Sequence, residues 1–177
     1  KEKIMFKDFN ISDFKKNKPP SDNSTTTKNE IKQLQKIPIR EKFVKEMDDG
    51  KKNFTKIVGN DPLIKKLIDG SHTVVMKLKN YFKRSRPAVV AKKLNMELDD
   101  IKLESMKTPA YPSGHATQAT LLSLVLSDKY PDKEDKLKKL ARDIIHSRSV
   151  AHTHYKSDNI AGEKLGKQLY NYIKNKI

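Results

Sequence analysis

Three short patterns in this 177-residue chain place cationic, proton-carrying and nucleophilic side chains at fixed spacings. Lys79 is followed after six residues by Arg86-Pro87. Pro112-Ser113-Gly114-His115 comes next, and then Ser147-Arg148, five residues, His154, three residues, and Asp158. An imidazole beside a carboxylate can serve as nucleophile or base, and Lys and Arg together bind oxyanions, Arg through a two-pronged fork. Taken singly, each pattern has a plainer reading. Lys79 and Arg86 share a basic stretch with Lys77, Lys83 and Arg84 that reads as a solvated helix face. Ser113 reads as a helix N-cap, and His154 and Asp158 read as a hydrogen-bonded pair on one helical turn. The conjunction is what singles them out, since each occurs once and in one order.

In that order and spacing the chain resembles the superfamily of type 2 phosphatidic acid phosphatases, bacterial class A acid phosphatases and vanadium haloperoxidases. The match to the signature K-x6-R-P, P-S-G-H and S-R-x5-H-x3-D runs from Lys79 to Asp158. The stretches Lys79-Asn80-Tyr81-Phe82-Lys83-Arg84-Ser85-Arg86-Pro87 and Tyr111-Pro112-Ser113-Gly114-His115 are most similar to the soluble acid phosphatases. The resemblance implies a phosphate monoesterase, with diphosphates and lipid phosphates as further candidate substrates, working through a phospho-histidine without a metal or cofactor. It implies that His154 attacks phosphorus, that Asp158 holds the other ring nitrogen and that His115 protonates the leaving group. Lys79, Arg86, Arg148, Ser113 and Gly114 are implied to bind the phosphate. Physical chemistry is consistent with that division, because a transferring phosphoryl group needs positioned cations, an in-line nucleophile and a proton donor. Phosphate or vanadate is expected as an active-site ligand or inhibitor.

The chain departs from the family pattern at two places. His152 stands where the family commonly has Gly, giving His152-Thr153-His154, and Lys156 stands where Pro is frequent. Spacing favours His154 as nucleophile and leaves His152 as a candidate pocket residue. Lys156 reads as an exposed lysine or a cation at the pocket mouth, His72 as structural, and His146 as structural or adjacent to the site. Two other readings stand beside the phosphatase: a vanadate-dependent haloperoxidase, and a non-enzymatic basic module that binds anions.

The elements that must position these residues are helical. Apolar residues recur at helical spacing in Ile31 and Leu34, in Phe43, Val44 and Met47, in Leu63, Ile64, Leu67 and Ile68, and in Val74, Val75, Leu78 and Phe82. Asp61-Pro62 marks a helix start, and Pro87 is expected to end the helix that carries Lys79 through Ser85. Residues 95–112 read as a loop. The segment 113–128 is apolar on nearly every side, which predicts a helix at the centre of a bundle. Residues 133–150 are amphipathic on one face, and Ile160, Leu165, Leu169 and Ile173 define the last helix. The fold class expected is all-α, a single helical domain over 31–177 preceded by a poorly structured arm at 1–30, where Pro19, Pro20, Ser21 and three Thr break any apolar period.

Composition sets the outer limits. A net charge of +16 favours anionic partners, and its spread along both the first third and the remainder of the chain argues against a dedicated nucleic-acid-binding tail. A small phosphorylated substrate is expected, with no specific nucleic acid and some peripheral attraction to anionic membrane surfaces. With no cysteine, disulfides, thiolate catalysis and cysteine-ligated zinc are excluded. The longest apolar run, Ala119–Leu126, is far short of the ~20 residues that span a bilayer, so a soluble or peripheral chain is expected. A start at Lys1 rather than Met is expected of a processed or trimmed chain. The resemblance mildly favours a secreted or periplasmic location, with the cytoplasm as the alternative.

Overall fold

A computed structural model describes residues 5–177, and among them the secondary structure is helical. In chain order the α-helices are α1 (Thr25–Gln35), α2 (Glu41–Asp48), α3 (Gly50–Val58), α4 (Pro62–Phe82), α5 (Pro87–Lys93), α6 (Gly114–Lys129), α7 (Glu134–Val150) and α8 (Lys156–Ile173). Single 3-10 turns form at Phe14–Lys16, Glu104–Lys107 and Pro131–Lys133. No helix among the described residues is long and apolar enough to cross a membrane.

Helix α6 is the central element and lies against α4, α7 and α8. Ala116, Ala119, Leu121, Leu122, Val125 and Leu126 are buried around its circumference, as an all-round apolar pattern requires. Its start is fixed by Ser113, whose hydroxyl accepts the Ala116 N–H at 3.1 Å. Helix α8 approaches α6 so closely that a Cβ on Gly162 would lie 2.7 Å from both the Ala116 Cβ and the Ser113 carbonyl oxygen. One on Gly166 would lie 2.7 Å from the Thr117 carbonyl oxygen. Glycine at these two positions lets the backbones meet, which brings the N-terminal ends of α6 and α8 together. The Ser113 N–H then donates to the Asp158 carbonyl at 3.1 Å.

Two expectations need correction. Of the stretch 1–30, expected as a poorly structured arm, residues 1–4 lie outside the described residues, while Phe6 and Phe14 are buried in the main core and Met5 and Phe6 pack where Gly70 leaves room on α4. The first α-helix opens at Thr25, its start held by the Ser24 hydroxyl accepting from the Thr27 N–H. Two aromatic anchors thus do for the arm what periodicity does for a helix. The helix carrying Lys79 stops at Phe82 rather than at Pro87, because Lys83 takes a left-handed conformation (φ 53°) and its N–H donates back to the Lys79 carbonyl. Arg84, Ser85 and Arg86 therefore lie in a turn between α4 and α5. Arg84 and Arg86 are buried there and Lys79 is buried at the end of α4, so the solvated-face reading fails for all three. The segment 95–112 is mostly loop, as expected, with the 3-10 turn Glu104–Lys107 within it.

Candidate active site

Five pieces of chain converge where α6 and α8 begin: the end of α4 with Lys79, the turn holding Arg84 and Arg86, the first turn of α6, the last turn of α7 with Arg148, and the connection 151–155 leading into α8. Arg148 is fully buried at the end of α7, and the Thr153 N–H donates to its carbonyl, folding the connection back on the helix. Helix α8 is capped by its own chemistry, since the Asp158 carboxylate accepts the Tyr155 N–H at 2.9 Å. That cap points the same carboxylate oxygen, Oδ2, at the Nδ1 of His154, 3.0 Å away.

This pairing decides the tautomer. With Nδ1–H donating to Asp158, the Nε2 lone pair of His154 accepts from Arg86, whose terminal nitrogen is 3.0 Å away. Burial, followed by the charges of Arg86, Lys79, Arg148 and His115, holds His154 well below the ordinary imidazole range, so the ring is neutral at about pH 7 and Nε2 is unprotonated. Arg86 also donates to the carbonyls of Thr108, Thr153 and Ser105. It thereby ties the 105–108 turn to the histidine, and its remaining terminal nitrogen reaches the Thr108 hydroxyl at 3.3 Å. Lys79 donates to that same hydroxyl at 2.8 Å. Burial and the nearby Arg86 lower the Lys79 ammonium to about 7, so its charge is weakly held until an anion arrives.

Arg148 presents a buried terminal nitrogen with no hydrogen-bond partner. Its other terminal nitrogen is 3.1 Å from the Asp48 carboxylate, which also lies 3.2 Å from Nε2 of His115. Burial and the Arg148 charge lower His115, and hydrogen bonds to the Asp48 side chain and carbonyl oppose them. Asp48, at the end of α2, thus bridges the expected proton donor and one expected phosphate ligand.

All eight residues singled out by the three patterns lie at these converging chain ends, with differences in detail. The Ser113 amide is committed to the Asp158 carbonyl and its hydroxyl caps α6. The helix-start amides left for an anion are those of Gly114 and His115, which lack partners within the helix. A Cβ on Gly114 would meet only the Val75 Cγ1, at 3.5 Å, so packing within the protein does not demand glycine there. His152 does not join His154. Its φ of 59° turns the ring away, and its two nitrogens lie 2.7 Å from the carbonyl oxygens of Asp99 and Ile37, which ties the 95–103 segment to the α1–α2 connection. Lys156 is exposed, as is His72, and His146 is exposed beside the Phe43 ring. Asp48, Arg84 and Thr108 stand outside the three patterns yet touch the residues within them. Their only signal in the sequence was nearness to the patterns, and for Asp48 not even that. Among the described residues no group of three or more His, Asp or Glu side chains is arranged to hold a metal ion.

Fold and site together define a helical protein with an imidazole–carboxylate pair inside a cage of buried cations, and comparison with known proteins agrees with that class. The PAP2 superfamily model matches residues 67–168, more than half of the chain, which belongs to that superfamily. Two curated relatives, the non-specific acid phosphatases of Salmonella typhimurium (strain LT2) and Salmonella typhi, are each 32% identical to it over 97 residues. The matched region is 55% of this chain and 38% of each relative, so the likeness spans well under half of their length.

Proposed function

We propose that this protein is a metal-independent phosphatase that hydrolyses phosphate monoesters through a phospho-histidine intermediate on His154. The observation that carries the reading is the pair itself. A neutral, buried His154 has its Nδ1–H on Asp158 and its Nε2 lone pair turned toward Arg86. Substrate phosphate would take up the charge of Lys79 and Arg86, buried cations that form no ion pair with a carboxylate among the described residues, and would meet the unpartnered terminal nitrogen of Arg148, whose other nitrogen is held by Asp48. His154 Nε2 forms a bond to phosphorus as the P–O bond to the leaving group breaks. The leaving oxygen takes that electron pair and a proton from His115. The Nδ1–H on Asp158 stabilises the charge that appears on the imidazole. In the second half, water gives its proton to His115 while its oxygen attacks phosphorus, releasing phosphate and restoring His154. The two acid phosphatase relatives support this reaction class.

The test is p-nitrophenyl phosphate hydrolysis by wild type and His154→Ala in excess chelator, run beside halide oxidation with vanadate and peroxide. Hydrolysis by wild type alone is expected. Halide oxidation without hydrolysis would favour the peroxidase reading, and neither activity would favour the anion-binding module.

A further inference from the structure

Four Lys or Arg side chains are buried among the described residues, and the reaction above uses three of them. The fourth is Arg84, 4% exposed, and its surroundings are not those of a surface charge that folded inward by default. One terminal nitrogen donates to Oδ1 of Asp158 at 2.8 Å and to the Ser157 hydroxyl at 2.8 Å. The guanidinium carbon lies 3.8 Å from the centre of the Tyr155 ring, a stacked cation–π geometry. Its Nε and other terminal nitrogen are buried without a hydrogen-bond partner. The Glu30 carboxylate stands 4.0 Å from that nitrogen, and is itself held by the Ser157 amide and hydroxyl. A buried guanidinium with unmet donors is costly to keep for stability alone.

Asp158 divides its two oxygens. Oδ2 accepts from the Tyr155 amide and from His154, and Oδ1 accepts from Arg84. Protonating Asp158 would add a hydrogen to one of these oxygens and weaken it as an acceptor, where all three partners are donors. We propose that Arg84 is a positioning residue of the phosphatase reaction: by gripping Oδ1 it keeps Asp158 a carboxylate turned toward His154, and so fixes which ring nitrogen attacks phosphorus. The proposal rests on the reading of His154 as nucleophile. Burial pushes the Asp158 carboxyl up to about 7, and Arg84 is the strongest influence holding it down. Asp158 also feels His154, Arg86, Lys79 and the hydroxyls of Tyr111 and Tyr155, and Arg84 feels Glu30. Substitution of Arg84 leaves all of these groups in place.

The experiment is the pH profile of kcat and KM on p-nitrophenyl phosphate for wild type, Arg84→Gln, Arg84→Lys, Asp158→Asn and the double variant Arg84→Gln/Asp158→Asn. Arg84→Gln is expected to lose on the order of 10²-fold in kcat below neutrality with KM changed by less than about threefold. Its acid limb should move up by about one pH unit or more, because a carboxyl without its cation ionises later. Arg84→Lys should restore the limb and most of the rate. In the Asp158→Asn background, Arg84→Gln should cost less than about threefold, since the group it acts through is gone. An unmoved acid limb, or an Arg84→Gln loss that adds in full to that of Asp158→Asn, overturns the proposal and leaves the nucleophile reading intact. An Asp158→Asn variant with wild-type activity overturns both. Glu30→Gln keeps the test alive if Arg84→Gln does not fold. With the competing anion removed, Arg84 holds Asp158 more tightly and the acid limb moves down, and a limb that stays or rises refutes the proposal.

Discussion

Replacing Gly162 by Ala adds one methyl group where α6 and α8 touch, and its consequence for catalysis can be worked from the geometry. The new Cβ would lie 2.7 Å from the Ala116 Cβ, 2.7 Å from the Ser113 carbonyl oxygen and 3.2 Å from the Thr117 amide nitrogen. Carbon atoms in contact prefer about 3.5–4.0 Å, so the start of α8 must back away from α6 by roughly 1 Å. Two of the three neighbours are backbone and cannot rotate aside. Overpacking of this kind costs about 1–3 kcal/mol, and the better helix propensity of Ala returns up to about 1 kcal/mol. With that return in full the net loss is about 0–2 kcal/mol, or up to roughly 8 °C in Tm for a chain of this size. Gly166→Ala, one turn further along α8, meets equally hard neighbours at 2.7 Å, the Thr117 carbonyl oxygen and the Thr120 Cβ, and should lose similar stability. The two differ in what they move. Gly162 is one turn from Asp158, whose carbonyl receives the Ser113 amide, so its displacement separates the His154–Asp158 pair from the Gly114–His115 end of α6. A 1 Å misplacement of reacting groups costs on the order of 10²-fold in rate. Thermal melts and kcat on p-nitrophenyl phosphate should show comparable Tm losses for both variants, with kcat down about 10–100-fold in Gly162→Ala and within a few fold of wild type in Gly166→Ala. Equal rates in the two variants would refute the claim that this contact sets the geometry of the site.

Other perturbations address single roles. His115→Ala should lose on the order of 10²–10⁴-fold on alkyl phosphates, whose alkoxide needs a proton, and much less on p-nitrophenyl phosphate. Equal losses on both substrates, with the second step shown not to limit, would make His115 a phosphate ligand. Lys79, lowered to about 7 by burial and Arg86, is charged below that pH and neutral above it. Phosphate inhibition, corrected for the anion's own ionisation, should therefore weaken as pH rises through about 7, and Lys79→Arg should carry strong inhibition to higher pH; an identical profile in that variant would show that another group is responsible. Phosphate or vanadate at 100 times its Kd should stabilise the fold by about 2.7 kcal/mol, a rise of roughly 5–11 °C in Tm. Arg148→Ala, which removes the unpartnered buried nitrogen, should lose most of that rise, and retention of the full shift would place the anion elsewhere.

How much of this was legible in the sequence differs by element. The all-round apolar run from Ala116 to Leu126 announced a central helix because a helix buried on every side has no polar face to hide. Asp61-Pro62 announced the start of α4 for equally local reasons. The end of α4 is not legible, because it is set by the left-handed Lys83, a residue type with no preference for that conformation. The burial of Arg84 follows from Asp158, distant in sequence, and no periodicity can carry that contact. The Pro, Ser and Thr content of the arm hides its order, because Phe6 and Phe14 are isolated anchors whose partners lie in α4 and near Tyr111. In the candidate site, His154, Asp158 and the cations around them are legible through the three patterns and the superfamily those patterns resemble, and the short spacings within each pattern are what make that resemblance visible. Asp48 reaches the same place through long-range folding and carries no local mark, and Thr108 is marked only by lying four residues before Pro112.

The central claim is a covalent bond between His154 and phosphorus, and acid-labile, base-stable phosphorylation tests it most directly. Wild-type protein mixed with labelled substrate and quenched within the first turnover should yield a peptide carrying phosphate on His154, detectable by mass spectrometry under alkaline handling. The yield should fall to background in His154→Ala. Label on His152, or hydrolysis of substrate with no label trapped on any histidine under conditions where the first step outruns the second, would contradict the account.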